Sequence, residues 1–587
     1  MKTNSGKMGP KDLLIQYVFS KRLPIFILAA VMVLELFFTL FTPEILGNFI
    51  SSVESRAEVN YLIKIAGIYI CCVILQQMIN IFSIFMSQSI GWQAINELKN
   101  DILEHLMGSK IEYFKSVLPG EIVERIEGDT EQLLEFLSTV AIRIIMNVFL
   151  IAGIAFLLFK KNRLIGAAVM CCMLVIFVML TFMQRRYGDI WFSVRKLYSK
   201  FFAYINEQMA STEDIAACGA KGFVLVKLKR ILAQLLPDKV RVIVRTNNVE
   251  VVSSLLFTMA NILALGISSY LFIQGTITLG SVYVIFKYTE MLRSPVERMD
   301  TQIQEFLKAK SCIMRICEIF EIPKETDEGS LRIEEGRLLP VEFSGVSFSY
   351  NGNDLILKNI SFRLEGGCKL GIIGRTGCGK STLVQLLMRY YPAAQGEILV
   401  DGVNINEYSL KEYRKNISFI TQDISIIGGT FRENLRLFDP GISDSEIYQT
   451  IEWLNLMPWF SKFENGLDTE INSKAEISEG EAQLISIVRA LIQKSRIIVM
   501  DEATSKIDPF TEQLLHQAFE KIMAGRTCII IAHHLQTLES VDYILYLEQG
   551  SIATYGLREK LVQNTESKFY SLLEQAKLEQ SNLEDWT

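Results

Sequence analysis

Residues 374–382 read Gly-Arg-Thr-Gly-Cys-Gly-Lys-Ser-Thr and decide the fold of the second half of the chain. The stretch fits the pattern G-x-x-x-x-G-K-[ST], in which glycines let backbone N–H groups approach phosphate oxygens without a Cβ in the way. An apolar run at 369–373 precedes it, and a helical pattern at 383–388 follows it. Strand, loop and helix in that order are the context that this motif requires. The sequence therefore predicts a site for nucleotide phosphates.

The side chains of this stretch predict contacts to phosphate and to metal. Lys380 is expected to reach the β- and γ-phosphates, and the hydroxyl of Ser381 is expected to bind Mg²⁺. The predicted nucleotide-binding residues of the loop are Gly374, Arg375, Thr376, Gly377, Cys378, Gly379, Lys380, Ser381 and Thr382.

The composition of the whole chain limits the classes of protein to which it can belong. Its 587 residues suffice for several domains, and 50% of them are hydrophobic. The mean hydropathy of +0.27 is high for a soluble enzyme. The net charge of −6 gives no sign of a nucleic-acid partner. The 10 cysteines form no C-x-x-C pair, so their spacing does not indicate a metal site.

Long apolar runs lie before about residue 320 and predict six membrane spans. They lie near 23–50, 60–90, 134–159, 164–184, 249–274 and 279–300. The links between them alternate between short segments and two long polar segments, at about 91–133 and 185–248. With the N-terminus in the cytoplasm, most Lys and Arg residues fall on the cytoplasmic side, as the positive-inside rule expects.

The positive-inside pattern has one exception and one addition. Lys160, Lys161 and Arg163 lie in a link that this topology places outside the cell. Residues 11–20 form an amphipathic stretch that is expected to lie along the membrane interface as an elbow helix.

The predicted domains follow from these shifts in composition. A charged connector with Pro323, Gly329 and Gly336 separates the apolar half from a strand pattern that begins at Val341. The expected limits are an N-terminal segment 1–22, a six-span domain 23–320, a connector 321–340, a nucleotide-binding domain 341–575 and a tail 576–587.

Acidic and basic catalytic candidates follow two further apolar runs. The run 496–500 ends in Asp501 and Glu502, which predicts a buried strand that delivers Asp501 to Mg²⁺. Glu502 would then orient or deprotonate the attacking water. His533 follows the strand-like run 527–532 and is expected to hydrogen-bond the γ-phosphate.

Two weaker candidates depend on their order in the chain. Gln422 follows the strand-like run 417–421 and is predicted to contact the metal or the attacking water. Tyr350 precedes the phosphate loop and is predicted to stack its ring on the base. An isolated Gln or Tyr is usually structural, so both rest on the company of the other motifs.

The order of these motifs resembles the nucleotide-binding domain of ABC transporters across about 341–575. The residues that carry the resemblance are Tyr350, Gly374–Thr382, Gln422, Asp501–Glu502, Ser505–Asp508 and His533. Six preceding spans with two long internal loops resemble an ABC exporter of the half-transporter kind. The implied fold class is an all-α six-helix transmembrane domain followed by an α/β P-loop NTPase domain.

The resemblance also implies function and partners. Two such chains would dimerise and sandwich two ATP molecules, with Mg²⁺, to drive export by alternating access. Short coupling helices are implied near 109–116 and 211–219. The chain would be a multi-pass protein of a bacterial cell membrane with a cytoplasmic ATPase. Its partners would be a second half-transporter, the lipid bilayer and a small-molecule, lipid or peptide cargo, with no nucleic acid.

The signature segment, Ile477–Glu481, departs from the family pattern LSGGQ. Ser478 and Gly480 match and are expected to contact ATP held by the partner chain. Glu479 and Glu481 replace a glycine and the glutamine, and Ala482 stands where a basic residue is usual. At an effective dielectric of about 20, each carboxylate about 6 Å from a phosphate charge costs about 3 kcal/mol. The alternative is that the two glutamates only stabilise the first turn of their helix.

This departure suggests an unequal dimer. The chain's own phosphate loop, Gln422, Asp501, Glu502 and His533 keep the family pattern, whereas the segment lent to the partner does not. Heterodimeric ABC exporters divide their motifs in this way. The alternatives are a homodimeric lipid or multidrug exporter and a membrane-anchored nucleotide-binding regulator with decayed transport. An importer is disfavoured because the fusion order is export-like.

Polar residues inside the predicted spans are candidates for the cargo path. They are Glu35, Gln76, Gln77, Asn80, Lys287 and Glu290. A cavity lined by such residues would suit an amphipathic or peptide-like cargo. The alternative is that these groups hydrogen-bond to one another between helices or lie near a membrane interface.

Overall fold

A computed structural model provides the structure of the chain, which divides into two compact units. One unit is Met1–Ser109 with Ser116–Lys324, and the other is Lys110–Lys115 with Glu325–Thr587. The residues that the structure describes are 9–17, 21–327, 329–334, 336–350, 352, 354–422, 424–437, 439–471, 477–501, 508–532 and 536–574.

Helices account for nearly all of the described chain before residue 321. They are α1 (Pro10–Tyr17), α2 (Arg22–Glu54), α3 (Val59–Met107), α4 (Ile111–Ser116), α5 (Pro119–Val123), α6 (Thr130–Glu135), α7 (Ala141–Lys161), α8 (Arg163–Ala210), α9 (Thr212–Ala217), α10 (Lys221–Ile273), α11 (Leu279–Met291), α12 (Arg293–Glu297) and α13 (Met299–Phe320). Two π-helical turns, Glu124–Asp129 and Phe136–Val140, join α5, α6 and α7 into one continuous rod.

Five of the predicted spans lie on helices that are long and apolar enough to cross a membrane. The spans are Arg22–Glu54, Val59–Met107, Pro119–Lys161, Arg163–Met183 and Lys221–Ile273. The span predicted near 279–300 is not among these five, because α11, α12 and α13 divide this stretch at Leu292 and Arg298. Pro295 lies inside α12, shortly after the first of these breaks, and it has no N–H to donate to the carbonyl of Met291.

Close helix crossings hold the membrane-spanning unit together. Gly47 of α2 and Gly280 of α11 meet so closely that a Cβ on Gly280 would lie 1.8 Å from the carbonyl oxygen of Gly47. Ser51 accepts a hydrogen bond of 3.1 Å from the backbone N–H of Gly280 at the same crossing. Small residues permit such backbone approach between helices in a membrane.

An ion pair accounts for part of the exception to the positive-inside pattern. Nζ of Lys161 lies 2.9 Å from a carboxylate oxygen of Glu44 on α2, and both side chains are less than a quarter exposed. The hydroxyl of the buried Tyr288 donates a 2.8 Å hydrogen bond to the carbonyl of Leu40, which lies one helical turn before Glu44 on α2. The positive charge of Lys161 is therefore balanced within the unit.

The elbow helix α1 packs on protein. Leu13 and Tyr17 are 1% and 4% exposed, and the Tyr17 hydroxyl donates to Asp101 of α3. Ile15, on the other side of the helix, is 59% exposed. The buried side of the amphipathic stretch thus faces α3 and α13.

The second unit alternates strands and helices. Its elements are β1 (Val341–Phe348), β2 (Leu357–Leu364), β3 (Lys369–Ile373), α14 (Lys380–Leu387), β4 (Gln395–Val400), β5 (Val403–Asn404), α15 (Leu410–Asn416), β6 (Ile417–Ile420), β7 (Gly429–Thr430), α16 (Phe431–Arg436), α17 (Asp444–Trp453), α18 (Met457–Phe460), β8 (Glu470–Ile471), α19 (Glu479–Ile492), β9 (Ile497–Asp501), α20 (Pro509–Met523), β10 (Thr527–Ile531), β11 (Tyr543–Glu548), β12 (Ser551–Leu557) and α21 (Arg558–Gln563).

A six-stranded sheet with the order β12-β11-β3-β10-β9-β6 forms the centre of this unit. Its strands are parallel except for β12, which pairs antiparallel with β11 at one edge. β3, β9 and β10 are almost wholly buried, as expected for parallel strands covered on both faces. A separate antiparallel sheet has the order β2-β1-β4-β5.

Candidate nucleotide-binding site

The central sheet brings the predicted site residues to one edge. The phosphate loop follows β3, Gln422 follows β6, and Asp501 is the last residue of β9. Because these strands are parallel members of one sheet, their carboxyl ends lie on the same side, where α/β folds bind ligands. Glu502 and His533, which follow β9 and β10, lie outside the described residues, as do Ser505 and the segment 472–476.

The backbone of the phosphate loop requires glycine. Gly374, Gly377 and Gly379 have φ values of +152°, +83° and +106°. A Cβ at Gly374 would lie 2.3 Å from the carbonyl oxygen of Leu547 on the neighbouring strand β11. These positive φ values and the close approach at Gly374 leave no room for other residues, as expected of a loop whose N–H groups hold anions.

Lys380 begins the helix that follows the loop. Its side chain is buried, and Nζ donates to the carbonyls of Gly374 at 2.6 Å and of Arg375 at 3.2 Å. No side chain caps the start of α14, and its first turn carries no acidic residue. The N–H groups and positive dipole end of this helix are therefore directed at the space within the loop.

The oxygen donors of the site fit Mg²⁺ bound together with phosphate. Ser381 and Gln422 are exposed, and Asp501 is half-buried at the end of β9. Mg²⁺ prefers such oxygen ligands and usually takes one or two carboxylates plus substrate phosphates. The described residues contain no group of three or more His, Cys, Asp or Glu side chains that could hold a metal alone. Ser381, Gln422 and Asp501 are therefore the kind of oxygen donors that Mg²⁺ takes beside a nucleotide phosphate.

Tyr350 lies beside the start of α14. Its hydroxyl donates 2.9 Å to Gln385 and lies 3.2 Å from the hydroxyl of Thr382. Its ring, in a side chain that is 42% exposed, packs edge-on against Phe348 and Tyr391. One side of the ring therefore stays accessible for stacking. Tyr391 is not among the residues that the motifs predict. The adjacent aromatic residues Tyr390 and Tyr391, shortly after this helix, are the sequence signal by which it could have been found.

The signature segment starts α19 with a reciprocal capping box. The hydroxyl of Ser478 accepts the N–H of Glu481 at 3.2 Å, and the carboxylate of Glu481 accepts the N–H of Ser478 at 3.1 Å. The fully buried Trp459 donates its indole N–H to the same carboxylate at 3.3 Å. The prediction that a glutamate stabilises this first turn is confirmed for Glu481. Glu479 is exposed, and Gly480 is buried.

Arg489 connects α19 to the loop that carries Gln422. Its guanidinium donates to the carbonyl of Ser425 at 3.0 Å, to the carbonyl of Asn434 at 2.7 Å and to the side chain of Asn434 at 2.9 Å. Burial lowers the pKa of Arg489 from its ordinary value. The motifs do not predict this residue, because its partners, two backbone carbonyls and the Asn434 side chain, come together only in the folded chain.

Most of the cargo-path candidates hydrogen-bond within the protein. Asn80 donates to Glu35 at 2.7 Å, and Gln76 donates to Thr39 at 3.1 Å, both between α2 and α3. Lys287 and Glu290 form an ion pair of 2.9 Å along α11, while Gln77 is exposed. Glu35 and Asn80 thus bond to one another between helices, as the alternative expects. Gln76 instead bonds to Thr39, and the pair of Lys287 and Glu290 lies within one helix.

Comparison with known proteins places the chain in a family. The sequence model of the family described as ABC transporter matches residues 357–505, and that described as ABC transporter transmembrane region matches residues 25–296. The chain belongs to the ABC transporter family and joins its transmembrane and ATPase regions in one half-transporter polypeptide. It is a multi-pass membrane protein with a cytoplasmic ATPase domain, and it couples ATP hydrolysis to transport.

Relatives with curated descriptions are similar over most of their length. The probable multidrug resistance ABC transporter ATP-binding/permease protein YheH of Bacillus subtilis is 29% identical over 498 residues, which are 84% of this chain and 73% of that protein. The ATP-dependent lipid A-core flippase of Wigglesworthia glossinidia brevipalpis is 26% identical over 486 residues, which are 82% of this chain and 83% of that protein.

A solved structure shares the fold. The structure of a bacterial Atm1-family ABC exporter with ATP bound matches with a TM-score of 0.78 at 20% identity, covering 94% of this chain and 98% of that one. The expected fold class, a helical transmembrane domain followed by an α/β ATPase domain, is therefore confirmed.

Proposed function

We propose that this chain is one half of a heterodimeric ABC exporter and contributes the productive phosphate loop of an unequal pair of ATP sites. The observation that carries the proposal is the capping box of Ser478 and Glu481. In a working composite site, the signature of one chain faces the γ-phosphate held by the other. Here a carboxylate occupies the N–H of Ser478, and the hydroxyl of Ser478 is engaged with Glu481.

Charge opposes phosphate at the same place. The carboxylate of Glu481 lies at the N-terminal end of α19, and the exposed Glu479 is next to it. One carboxylate about 6 Å from a phosphate charge costs about 3 kcal/mol at an effective dielectric of about 20. A penalty of this size reduces occupancy of the closed site about a hundredfold. The site formed with this signature segment is therefore the slow one.

The chain's own half of the productive site keeps every expected group. We assign Lys380 to the β- and γ-phosphates and Glu502 to activation of water, with His533 on the γ-phosphate. Ser381, Gln422 and Asp501 are assigned to Mg²⁺, which offsets the negative charge that develops on the transferred phosphoryl group. Tyr350 is assigned to the adenine ring. The partner supplies a signature without the two glutamates.

The two predicted coupling segments support a dimer. α4 groups with the ATPase unit of its own chain, as Lys110–Lys115. Neither α4 nor α9 has a buried residue within this chain. In the proposed dimer the ATPase domain of the partner covers α9, so that ATP-driven closure reorients the helices of both chains. We propose 23–320 and 341–575 as the limits of the two domains.

We propose an amphipathic cargo, which agrees with the lipid and multidrug descriptions of the relatives. Uptake of a fluorescent lipid and of a hydrophobic cation into inside-out vesicles would distinguish the two cargo classes. Uptake of neither, with ATPase turnover intact, would contradict this assignment.

The unequal pair is tested with two mixed dimers that contain the same substitutions in different arrangements. In the first, an unchanged chain pairs with a copy that carries Lys380→Ala, Glu479→Gly and Glu481→Gln. In the second, a Lys380→Ala chain pairs with a Glu479→Gly/Glu481→Gln chain. Differently tagged copies are purified together in nanodiscs, and their steady-state ATPase rates are compared.

The proposal predicts that only the first mixed dimer turns over. It joins an intact phosphate loop to a repaired signature, whereas the second joins the only intact loop to the original signature segment. A rate at least tenfold higher in the first dimer is expected. Equal rates would mean that the glutamates cap α19 without impairing catalysis, and a homodimeric exporter would then be the better reading.

A further inference from the structure

The ring of Tyr391 is the centre of a contact network close to the nucleotide site. Tyr391 follows α14 and is 8% exposed. Its ring centroid lies 5.1 Å from that of Tyr350, at an interplanar angle of 86°. It also lies 5.6 Å from that of Phe348, at 58°. Aromatic pairs prefer such edge-to-face and tilted contacts. The exposed ring of Tyr350 is therefore held in place by a buried one.

A cation from another part of the chain lies near the same ring. Nζ of Lys115 is 5.5 Å from the ring centroid of Tyr391 and 5.8 Å from that of Tyr390. Both distances are within the range of cation–π attraction. The segment Lys110–Lys115 belongs to the same compact unit as these tyrosines, although it follows α3 in sequence.

Tyr390 brings a third segment into this network. The guanidinium of Arg414 lies 5.7 Å from the ring centroid of Tyr390. It also bonds Glu325 through two contacts of 2.8 and 2.6 Å. Glu325 lies in the connector after α13. Lys115 and Glu325 come from separate segments of the chain, and both belong to the same compact unit as this tyrosine pair.

We propose that Lys115 and Tyr391 are positioning residues for adenine recognition, because they hold Tyr350 at the angle at which its accessible face stacks on the base. Tyr350 contacts the base, and the other two act through it. Lys115 lies in the cytoplasmic link after α3, so adenine stacking and the position of this link become coupled. The inference rests on the assignment of Tyr350 in the proposed function and is independent of the heterodimer.

Base selectivity separates positioning from general stability. A purine offers a larger face for stacking than a pyrimidine, whereas the phosphate contacts of ATP and CTP are the same. A change in the angle of Tyr350 therefore weakens ATP and leaves CTP almost unchanged. A general loss of fold weakens both nucleotides by the same factor.

The test measures the Kd of ATP and of CTP by displacement of trinitrophenyl-ATP from the full-length chain in nanodiscs. We expect Lys115→Met and Tyr391→Leu to reduce the preference for ATP over CTP by about threefold to tenfold, with the Kd of CTP within twofold. Tyr391→Phe keeps the ring and should keep the preference. Lys462→Met is the matched control, because it removes a cation 5.1 Å from the Phe510 ring in the same unit.

The outcomes separate the inference from its premise. A preference that is the same in Lys115→Met and Lys462→Met would overturn the inference, as would an equal loss of ATP and CTP binding. Tyr350→Ala tests the premise, and no change of preference in that variant would remove the assignment of Tyr350 to adenine. A shift in Tyr350→Ala without one in Lys115→Met would leave the nucleotide site intact and reject only the positioning role.

Discussion

Two helices of the ATPase unit are expected to direct their N-termini at phosphate, and they begin in opposite ways. α14 starts after Gly379, with no capping side chain and no acidic residue in its first turn. α19 starts at Ser478 with a reciprocal capping box and carries Glu479 and Glu481 in its first turn. The two start sites share a helix dipole but differ in what their N–H groups bind.

The difference indicates how the start of α19, which we propose as the signature helix, can lose its capacity to bind phosphate while the fold is kept. A capping box satisfies N–H groups and stabilises the helix, so Glu481 is favourable for folding. The same carboxylate removes donors and adds negative charge where a phosphate would bind. Stability and phosphate binding therefore oppose each other at α19, whereas at α14 the absence of a cap leaves the helix start to the ligand.

The largest effect is expected at α14, the helix whose start has no capping side chain. Lys380→Ala removes the ammonium assigned to the β- and γ-phosphates, and ATPase turnover of the assembled transporter should fall at least about a hundredfold. Lys358→Ala changes an exposed lysine on β2 and should leave the rate within twofold. Nearly full turnover in the Lys380 variant would contradict the assignment of this loop.

The backbone of the open site provides a second, smaller test. Gly379→Ala places a Cβ 2.6 Å from Leu357 at a φ of +106°, so the loop must shift. We expect the Kd of ATP to rise about tenfold, since a strained residue of this kind costs about 1–3 kcal/mol. Gly525→Ala is the control, because its φ is +70° with no atom within 4 Å. Equal ATP affinity in the Gly379 and Gly525 variants would show that the shape of the loop does not matter.

The capping box at the start of α19 is tested by its contribution to the free energy of unfolding. Glu481→Ala breaks the capping box and should destabilise the ATPase unit by about 1 kcal/mol. Glu479→Ala removes an exposed carboxylate that makes no capping contact, and a change below about 0.5 kcal/mol is expected. Thermal unfolding of the full-length chain, followed by tryptophan fluorescence, measures both. Equal shifts in the two variants would mean that the capping bonds contribute nothing.

The smallest effect concerns the indole that holds Glu481. Trp459→Phe removes the 3.3 Å hydrogen bond and keeps an aromatic ring in the core. A double-mutant cycle with Glu481→Gln separates this bond from the loss of packing and should give a coupling of about 0.5 kcal/mol. A coupling of zero would show that Trp459 does not position the carboxylate.

Local sequence patterns predict the scaffold of the site. The strands expected at 369–373 and 496–500 are found as β3 and β9, because a buried parallel strand is a continuous apolar run. The phosphate loop is predicted by its glycines, which alone tolerate the observed φ values. The two short helices near 109–116 and 211–219 also form where the family resemblance implies them.

Features of the site that depend on tertiary contacts could not be predicted from the sequence. The division of 279–320 into three helices interrupts the backbone only at Leu292 and Arg298, and an apolar run does not reveal such a local interruption. The direction of the Glu481 carboxylate depends on Trp459, which lies on a different helix. The roles of Tyr391 and Arg489 depend on rings and carbonyls from distant segments. No local pattern contains these partners.

The most direct test of the central claim is the steady-state ATPase rate of this chain assembled without a partner, compared with that of its Glu479→Gly/Glu481→Gln variant. Glu512→Gln, which removes an exposed first-turn carboxylate of α20, is the matched control. An unequal pair of ATP sites predicts low turnover for the unchanged chain and for the control. It predicts a rate at least about tenfold higher in the double variant, and this increase should be lost when Lys380→Ala is added to that variant. Rapid turnover of the unchanged chain alone, within twofold of the variant, would contradict it.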